Sequence, residues 1–229
     1  MIQEKNTASY DILSDSFSAN MYLRSDEKNA VLKYFIDKTA PLLVVGCGAG
    51  RVPFYLHKMG YENITAVDIS SSMVEKAKIK LKNLKGVRVL KADALELPFD
   101  QESFNHVFFP FHGIDYVTER KKVIVELKRV LKVGGNMVFT SHNLLFPRSF
   151  KKFVFGKRTG KYLHLEEKGN VLRTYHTTVA EIFSLKKIFQ QASVHGRVYL
   201  QGGINLSIKD KIFYRLPFLD KSLYFVVWK

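Results

Sequence analysis

The chain has 229 residues, 46% of them hydrophobic, which suffices for one substantial core and argues for a single domain. Thirty-six Lys and Arg against 21 Asp and Glu give a formal charge of +15, favouring anionic partners: nucleic acid, phospholipid surfaces or phosphorylated small molecules. One cysteine, Cys47, excludes an intrachain disulfide and a thiolate metal cluster, and the seven histidines form no metal constellation. No apolar run approaches the roughly 20 residues of a membrane span, and "MIQEKNTASYDILSD" has no apolar h-region, so the chain reads as soluble and cytoplasmic.

In chain order, the hydrophobic spacing predicts a helix over "DEKNAVLKYFIDK", a buried strand "LLVVG", a helix "RVPFYLHKMG" and a strand "ITAVDIS". The pattern continues with helix "SSMVEKAKIKLKNL", strand "VRVLKAD", turn "LELPFDQES", strand "FNHVFF", helix "ERKKVIVELKRVLK", a "GG" turn and strand "NMVFTS". Five apolar strands alternating with helices imply a parallel sheet covered on both faces. After Ser141 a basic, aromatic stretch runs to about His176, followed by a helix around "VAEIFSLKKIFQQAS", then "GRVYLQGG" and a terminal "SLYFVVWK". The last two runs are expected to be antiparallel neighbours at one sheet edge. We read 1–229 as one domain, with an N-terminal helical lid over about 1–40 and a basic insert over about 142–178.

The stretch "LLVVGCGAGR" places Gly46, Gly48 and Gly50 in the first strand-to-helix turn, where parallel sheets bind ligands beyond their strand ends. Asp68 ends the next strand about 20 residues on, where a carboxylate can accept both hydroxyl protons of a ribose. The dinucleotide fingerprint needs its third glycine where Arg51 stands, whereas this turn reads Gly-x-Gly-x-Gly. A third strand also ends in an acid, Asp93 of "VLKADALELPF", placed to accept from an adenine amino group while Ala94 donates its amide.

These residues resemble the class I S-adenosylmethionine-dependent methyltransferases, particularly the branch acting on small molecules and lipids. "VVGCGAGR", "AVDISSSM", "LKADALELPFDQESFNHVF" and "LKRVLKVGGNMVFT" stand in that family's order, over about Tyr10 to Ser141. The resemblance implies a Rossmann-like α/β fold: a seven-stranded, mostly parallel sheet with an antiparallel last strand and helices on both faces. It implies S-adenosyl-L-methionine as cofactor. Gly46, Cys47, Gly48 and Gly50 would line its methionine part, Asp68 would hold the ribose, Ile69 and Met73 would flank the adenine, and Asp93 with Ala94 would fix its edge. Phe109 would join the cofactor wall, and Tyr10 and Tyr22 look like the lid aromatics of relatives. Two departures are Val44, where the family usually has an acid, and Asn105, where it usually has Asp.

Methyl transfer from a sulfonium is an in-line displacement, so a base is needed only when the acceptor must lose a proton. "FFPFHGIDY" offers His112 and Asp115 and "FTSHN" offers His142 and Asn143, all at strand ends facing the expected methyl site, and the two histidines are the candidate bases. A small metabolite, sugar or lipid acceptor fits the single-domain plan. An RNA acceptor fits the charge but lacks an appended binding module and an Asn-Pro-Pro-Tyr-type tetrad, "FPFHG" standing in its place. A non-catalytic cofactor-binding protein and a nicotinamide oxidoreductase are the further alternatives. From Ser141 to Lys187, ten basic residues face three acidic ones and interleave with Phe146, Phe150, Phe153, Phe155 and Tyr162, so this insert is expected to meet an anionic acceptor, RNA or a membrane surface. Oligomeric state is not legible.

Overall fold

The structure is a computed structural model and describes residues 2–18, 22–159, 162–167, 170–178, 188–189, 191–196 and 222–229. Its centre is a seven-stranded sheet in the order β3-β2-β1-β4-β5-β10-β9. β1 (Leu42–Val45), β2 (Ile64–Asp68), β3 (Val87–Lys91), β4 (Phe104–Phe109) and β5 (Leu131–His142) run parallel, while β10 (Ser222–Trp228) enters antiparallel between β5 and β9 (Gln191–Gly196). Period-2 alternation sends Leu43, Val45, Val107, Phe109, Leu223 and Phe225 into one core and Leu42, Val44, Phe108, Tyr224 and Val226 into another. Both faces are covered, which is why these strands are continuously apolar rather than alternating.

α2 (Ser25–Tyr34) and α3 (Arg51–Lys58) contribute Val31, Val52 and Leu56 to the second core, and α4 (Ser71–Leu81) adds Ala77 and Leu81. α5 (Arg120–Val130) closes the first core with Val123, Ile124 and Leu127. Val44, the first departure from the family pattern, is fully buried in the second core, where an acid would lie among apolar neighbours.

Three expectations shift. The helix written over "ERKKVIVELKRVLK" stops at Val130, because Leu131 pairs with Phe104 and starts β5, so the two glycines lie inside that strand. The end of the helix expected around "VAEIFSLKKIFQQAS" is strand: Gln191–Ser193 belong to β9, and Gln191–Gly196 pairs with the last strand. Ala192 and Val194 pack against the first core while Ser193 and His195 turn the other way, an alternation a helix could not satisfy. The rest of that helix and most of "GRVYLQGG" lie outside the described residues. Finally, the basic stretch is built from α6 (Pro147–Phe155) and a three-stranded antiparallel sheet, β6 (Arg158–Thr159), β7 (Tyr162–Glu167) and β8 (Asn170–Thr174).

Before β1, α1 (Ile2–Ser18) is tied down at both ends of its described inner face. Asn6 Nδ2 donates to the Tyr116 carbonyl at 3.1 Å and to the Arg173 carbonyl at 2.9 Å, and its Oδ1 accepts the Arg173 amide at 2.9 Å. Asp11 accepts from the Ser70 and Ser72 hydroxyls at 2.5 and 2.9 Å, and the Lys76 ammonium donates to Ser14 Oγ at 2.6 Å.

Candidate functional site

The cavity at the carboxyl ends of β1, β2 and β4 begins with the glycine turn. Gly46, Gly48 and Gly50 have φ of +64°, +54° and +85°, values that glycine alone adopts without strain. A Cβ on Gly46 would sit 3.0 Å from the Phe109 ring, whereas one on Gly48 would meet nothing within 4 Å: there the bare backbone borders open cavity space. Gly50 packs instead on Ala77 and Leu81 of α4 and does not line the cavity.

Asp68 is braced across this turn, its Oδ2 accepting the Gly48 amide at 2.8 Å and its Oδ1 the Ser70 amide at 3.0 Å. Burial pushes its carboxyl above the ordinary Asp range, and those amides pull against the shift. Burial likewise raises the Cys47 thiol well above its usual value, so it offers no nucleophile. Ser70 caps α4 by accepting the Met73 amide at 3.2 Å, which sets Ile69 and Met73 on the cavity wall. Asp93 and Ala94 line the next stretch, with Asp93 Oδ1 accepting the Leu95 amide at 2.9 Å.

The far wall is the segment after β4. Phe111 and His112 both take positive φ, +54° and +60°, an uncommon backbone state for non-glycine residues that is held only by surrounding packing. The Arg24 and Arg51 guanidiniums lie over the Phe111 ring, 5.9 and 5.3 Å from its centroid. The 3₁₀ turn Gly113–Tyr116 follows, and Gly113, Tyr116 and Val117 line the cavity opposite Asn6, Thr7 and Tyr10 of α1. Tyr10 and Tyr116 meet edge to face at 5.6 Å, and burial, then Tyr116, raises the Tyr10 hydroxyl well above its usual range.

Of the residues expected at the cofactor, Tyr10, Gly46, Cys47, Gly48, Asp68, Ile69, Met73, Asp93, Ala94 and Phe109 line this one cavity. Tyr22 does not: it is 64% exposed, and its carbonyl accepts from Arg51 Nη1 at 3.0 Å. Arg51 is spoken for by Glu27, to which its two terminal nitrogens donate at 2.6 and 3.0 Å.

His112 and His142 are brought together, but beside the cavity rather than in its wall. The His142 ring stacks on His112 at 3.9 Å and on His176 at 4.8 Å. The 3₁₀ turn is the partition, presenting Gly113 and Tyr116 to the cavity while Asp115, fully buried, faces the His142 imidazole. Asp115 Oδ2 is 2.8 Å from His142 Nδ1 and accepts the His142 amide at 2.7 Å. Its Oδ1 accepts from the Ser141 hydroxyl and from Arg120 Nη1, which also pairs through Nη2 with Thr177 Oγ1 at 2.7 Å. His112 Nε2 is engaged by Ser222 Oγ at 2.9 Å, whereas His142 Nε2 makes no hydrogen bond among the described residues. Sequence reasoning offers Asp115 from "FFPFHGIDY" but not as the partner of His142, and it misses Asn6 and Tyr116 as wall residues.

The cavity suits a nucleoside cofactor with an amino-acid tail: a carboxylate at one strand end, an acid at the next, and a turn whose Gly48 leaves room for the ligand. Residues 43–139 match the model of the methyltransferase domain family. A demethylmenaquinone methyltransferase of Staphylococcus aureus is 31% identical over 131 residues, 56% of this chain and 54% of the relative. The chain thus spans about half the length of the curated relatives it matches. Among solved structures, a SAM-dependent methyltransferase of Methanosarcina mazei superposes with TM-score 0.63 at 19% identity, over 86% of this chain and 94% of that one. The phosphoethanolamine N-methyltransferase 2 of Haemonchus contortus, in complex with phosphomonomethylethanolamine and S-adenosylhomocysteine, gives 0.61 at 20% identity, over 88% of this chain and 52% of that one. The family match thus runs from β1 into β5, within a seven-stranded sheet whose fold is shared with solved S-adenosylmethionine-dependent methyltransferases.

Proposed function

We propose that the chain transfers the methyl group of S-adenosylmethionine to a small-molecule acceptor held between α1, the Phe109–Tyr116 stretch and the glycine turn. One observation carries the reading: the positive-φ turn, Asp68 and Asp93, each at the end of a different strand, converge on a single cavity with Gly48 open toward it. When bound, S-adenosylmethionine supplies a sulfonium methyl open to in-line attack. Gly46, Cys47 and Gly48 hold its amino-acid part, Asp68 accepts from the ribose hydroxyls, Ile69 and Met73 flank the adenine, and Asp93 with the Ala94 amide reads its edge. The S. aureus and H. contortus relatives are named for small-molecule substrates, which supports an acceptor of that class here.

For a hydroxyl acceptor, His142 is the base. Asp115 accepts a hydrogen bond from Nδ1–H, which would leave the Nε2 lone pair to receive the acceptor's proton. His142 stands behind the Gly113–Tyr116 turn rather than in the cavity wall, so this role requires the acceptor hydroxyl to reach past that turn to the imidazole stack.

Calorimetry tests the cofactor assignment. The chain is expected to bind S-adenosylmethionine and its demethylated product, and tighter binding of NAD overturns the reading. Asp68→Ala should weaken cofactor binding about tenfold or more, since charged hydrogen bonds contribute roughly 1.5 to 3 kcal/mol each. Only the ionised carboxylate accepts from both hydroxyls, and burial raises its pKa. Affinity should therefore begin to fall, on acidification, at a higher pH than an ordinary Asp would give, and Asp68→Asn should remove that pH dependence.

A further inference from the structure

α6 carries two kinds of side chain on its outward face. Ser149 is buried and Phe153 half-buried on the inner side, while the i, i+4 pairs Phe150/Val154 and Lys151/Phe155 project outward. Phe150, Val154 and Phe155 are 55%, 47% and 81% exposed, and Leu145 just before the helix is exposed as well. Arg148, Lys151 and Lys157 stand exposed among them. From residue 127 to residue 165 the chain has nine Lys and Arg and no acidic residue. Isolated exposed apolar side chains are ordinary on a protein surface, but four within eleven residues, interleaved with cations and free of acids, are not.

We propose that α6 is an interfacial helix that docks the protein on an anionic phospholipid surface. Its phenyl, isopropyl and isobutyl groups enter the headgroup–acyl boundary while Arg148, Lys151 and Lys157 meet lipid phosphates. Lipid is favoured over nucleic acid because Val154 and Leu145 have no π-face on which a base could stack, yet they project beside the cations. The proposal is independent of the cofactor reading. α6 shares the insert with β8, whose Arg173 clasps Asn6 in the cavity wall, so docking anchors the element that closes the acceptor side.

Sedimentation of the full chain with phosphatidylcholine vesicles, with and without phosphatidylglycerol, tests this. Binding is expected only to the phosphatidylglycerol vesicles and should weaken as salt rises. The double variant Phe150→Ser, Phe155→Ser should bind them about tenfold more weakly or worse, with unchanged circular dichroism and thermal midpoint. Lys151→Glu with Lys157→Glu should lose binding similarly, whereas Lys82→Glu with Lys85→Glu, an equal charge change on exposed residues far along the chain, should lose little. The proposal is overturned by absence of binding at low salt, by equal loss in the two charge variants, or by full binding of the serine variant. RNA filter binding tighter than vesicle binding and abolished by the same α6 variants would also overturn it, in favour of a nucleic-acid partner.

Discussion

At Asp115 a carboxylate with no solvent exposure serves two sides: Oδ1 answers Ser141 and Arg120, Oδ2 answers the His142 ring and amide. A buried charge so surrounded is held in one orientation, and it fixes the tautomer of the imidazole against it. The neighbouring His112 engages Ser222 through Nε2, whereas His142 Nε2 makes no hydrogen bond among the described residues. With a hydroxylated acceptor at neutral pH, His142→Ala should lower turnover about 100-fold with cofactor affinity unchanged, and His112→Ala should cost far less. Asp115→Asn should lower turnover as well and displace the pH–rate profile, which a purely structural contact would leave in place. The assignment fails if His112→Ala carries the loss and His142→Ala does not.

α1 is held over the cavity by few but specific bonds, and Asn6 makes three of them to backbone groups of Tyr116 and Arg173 while being 2% exposed. Asn6, Thr7 and Tyr10 form one wall of the cavity, so the cofactor cannot be fully enclosed unless this helix is seated. Asn6→Ala leaves two carbonyls and an amide to be satisfied by water, a penalty of about 1 to 3 kcal/mol that falls on the seated state. The expected outcome is cofactor dissociation about tenfold faster in stopped-flow displacement, with proteolysis appearing first within residues 2–18. An unchanged dissociation rate would show that α1 is no cover.

Across the whole molecule, two histidines are kept neutral by the packing of the sheet's far half. Burial, reinforced by Lys33, lowers His195 to about 4, and burial lowers His106 although Asn136 opposes it. His195 stands on β9, within 2.9 Å of the Tyr34 hydroxyl of α2, and His106 stacks on Phe35. A histidine whose folded pKa is depressed takes up its proton first in the unfolded chain, so stability is present above about 6.5 and is lost as pH falls toward about 4. The thermal midpoint should fall over that window, and His195→Gln should flatten the fall. A variant with the wild-type pH slope would mean that His195 carries none of it. The charge of +15 adds self-repulsion that grows on acidification and is relieved by salt, a second contribution separable by repeating the titration at high ionic strength.

The alternating strands and helices, the glycine turn and the two strand-end acids are legible in the order of residues alone. Each rests on local constraints: apolar period, the positive φ that only glycine adopts freely, and a short spacing along one βαβ unit. Helix and strand ends were less legible, because Leu131 and Gln191 are strand through pairing with Phe104 and Trp228, partners their own neighbourhoods do not reveal. Most of the cavity wall from the glycine turn to Asp93 was therefore readable, while the wall at Asn6 and Tyr116 was not. Asn6 reaches Tyr116 and Arg173 across sequence separations of 110 and 167, and Asp115 meets His142 across 27, distances over which no periodicity carries information. Tertiary packing also decided which expected residues stay out: the chain's turn through Arg24 to Glu27 leaves the Tyr22 side chain in solvent, and the 3₁₀ turn sets His112 and His142 behind Gly113 and Tyr116. Short-range stereochemistry wrote the glycine-turn half of the cavity into the chain, and long-range closure of the sheet, insert and α1 assembled the other half.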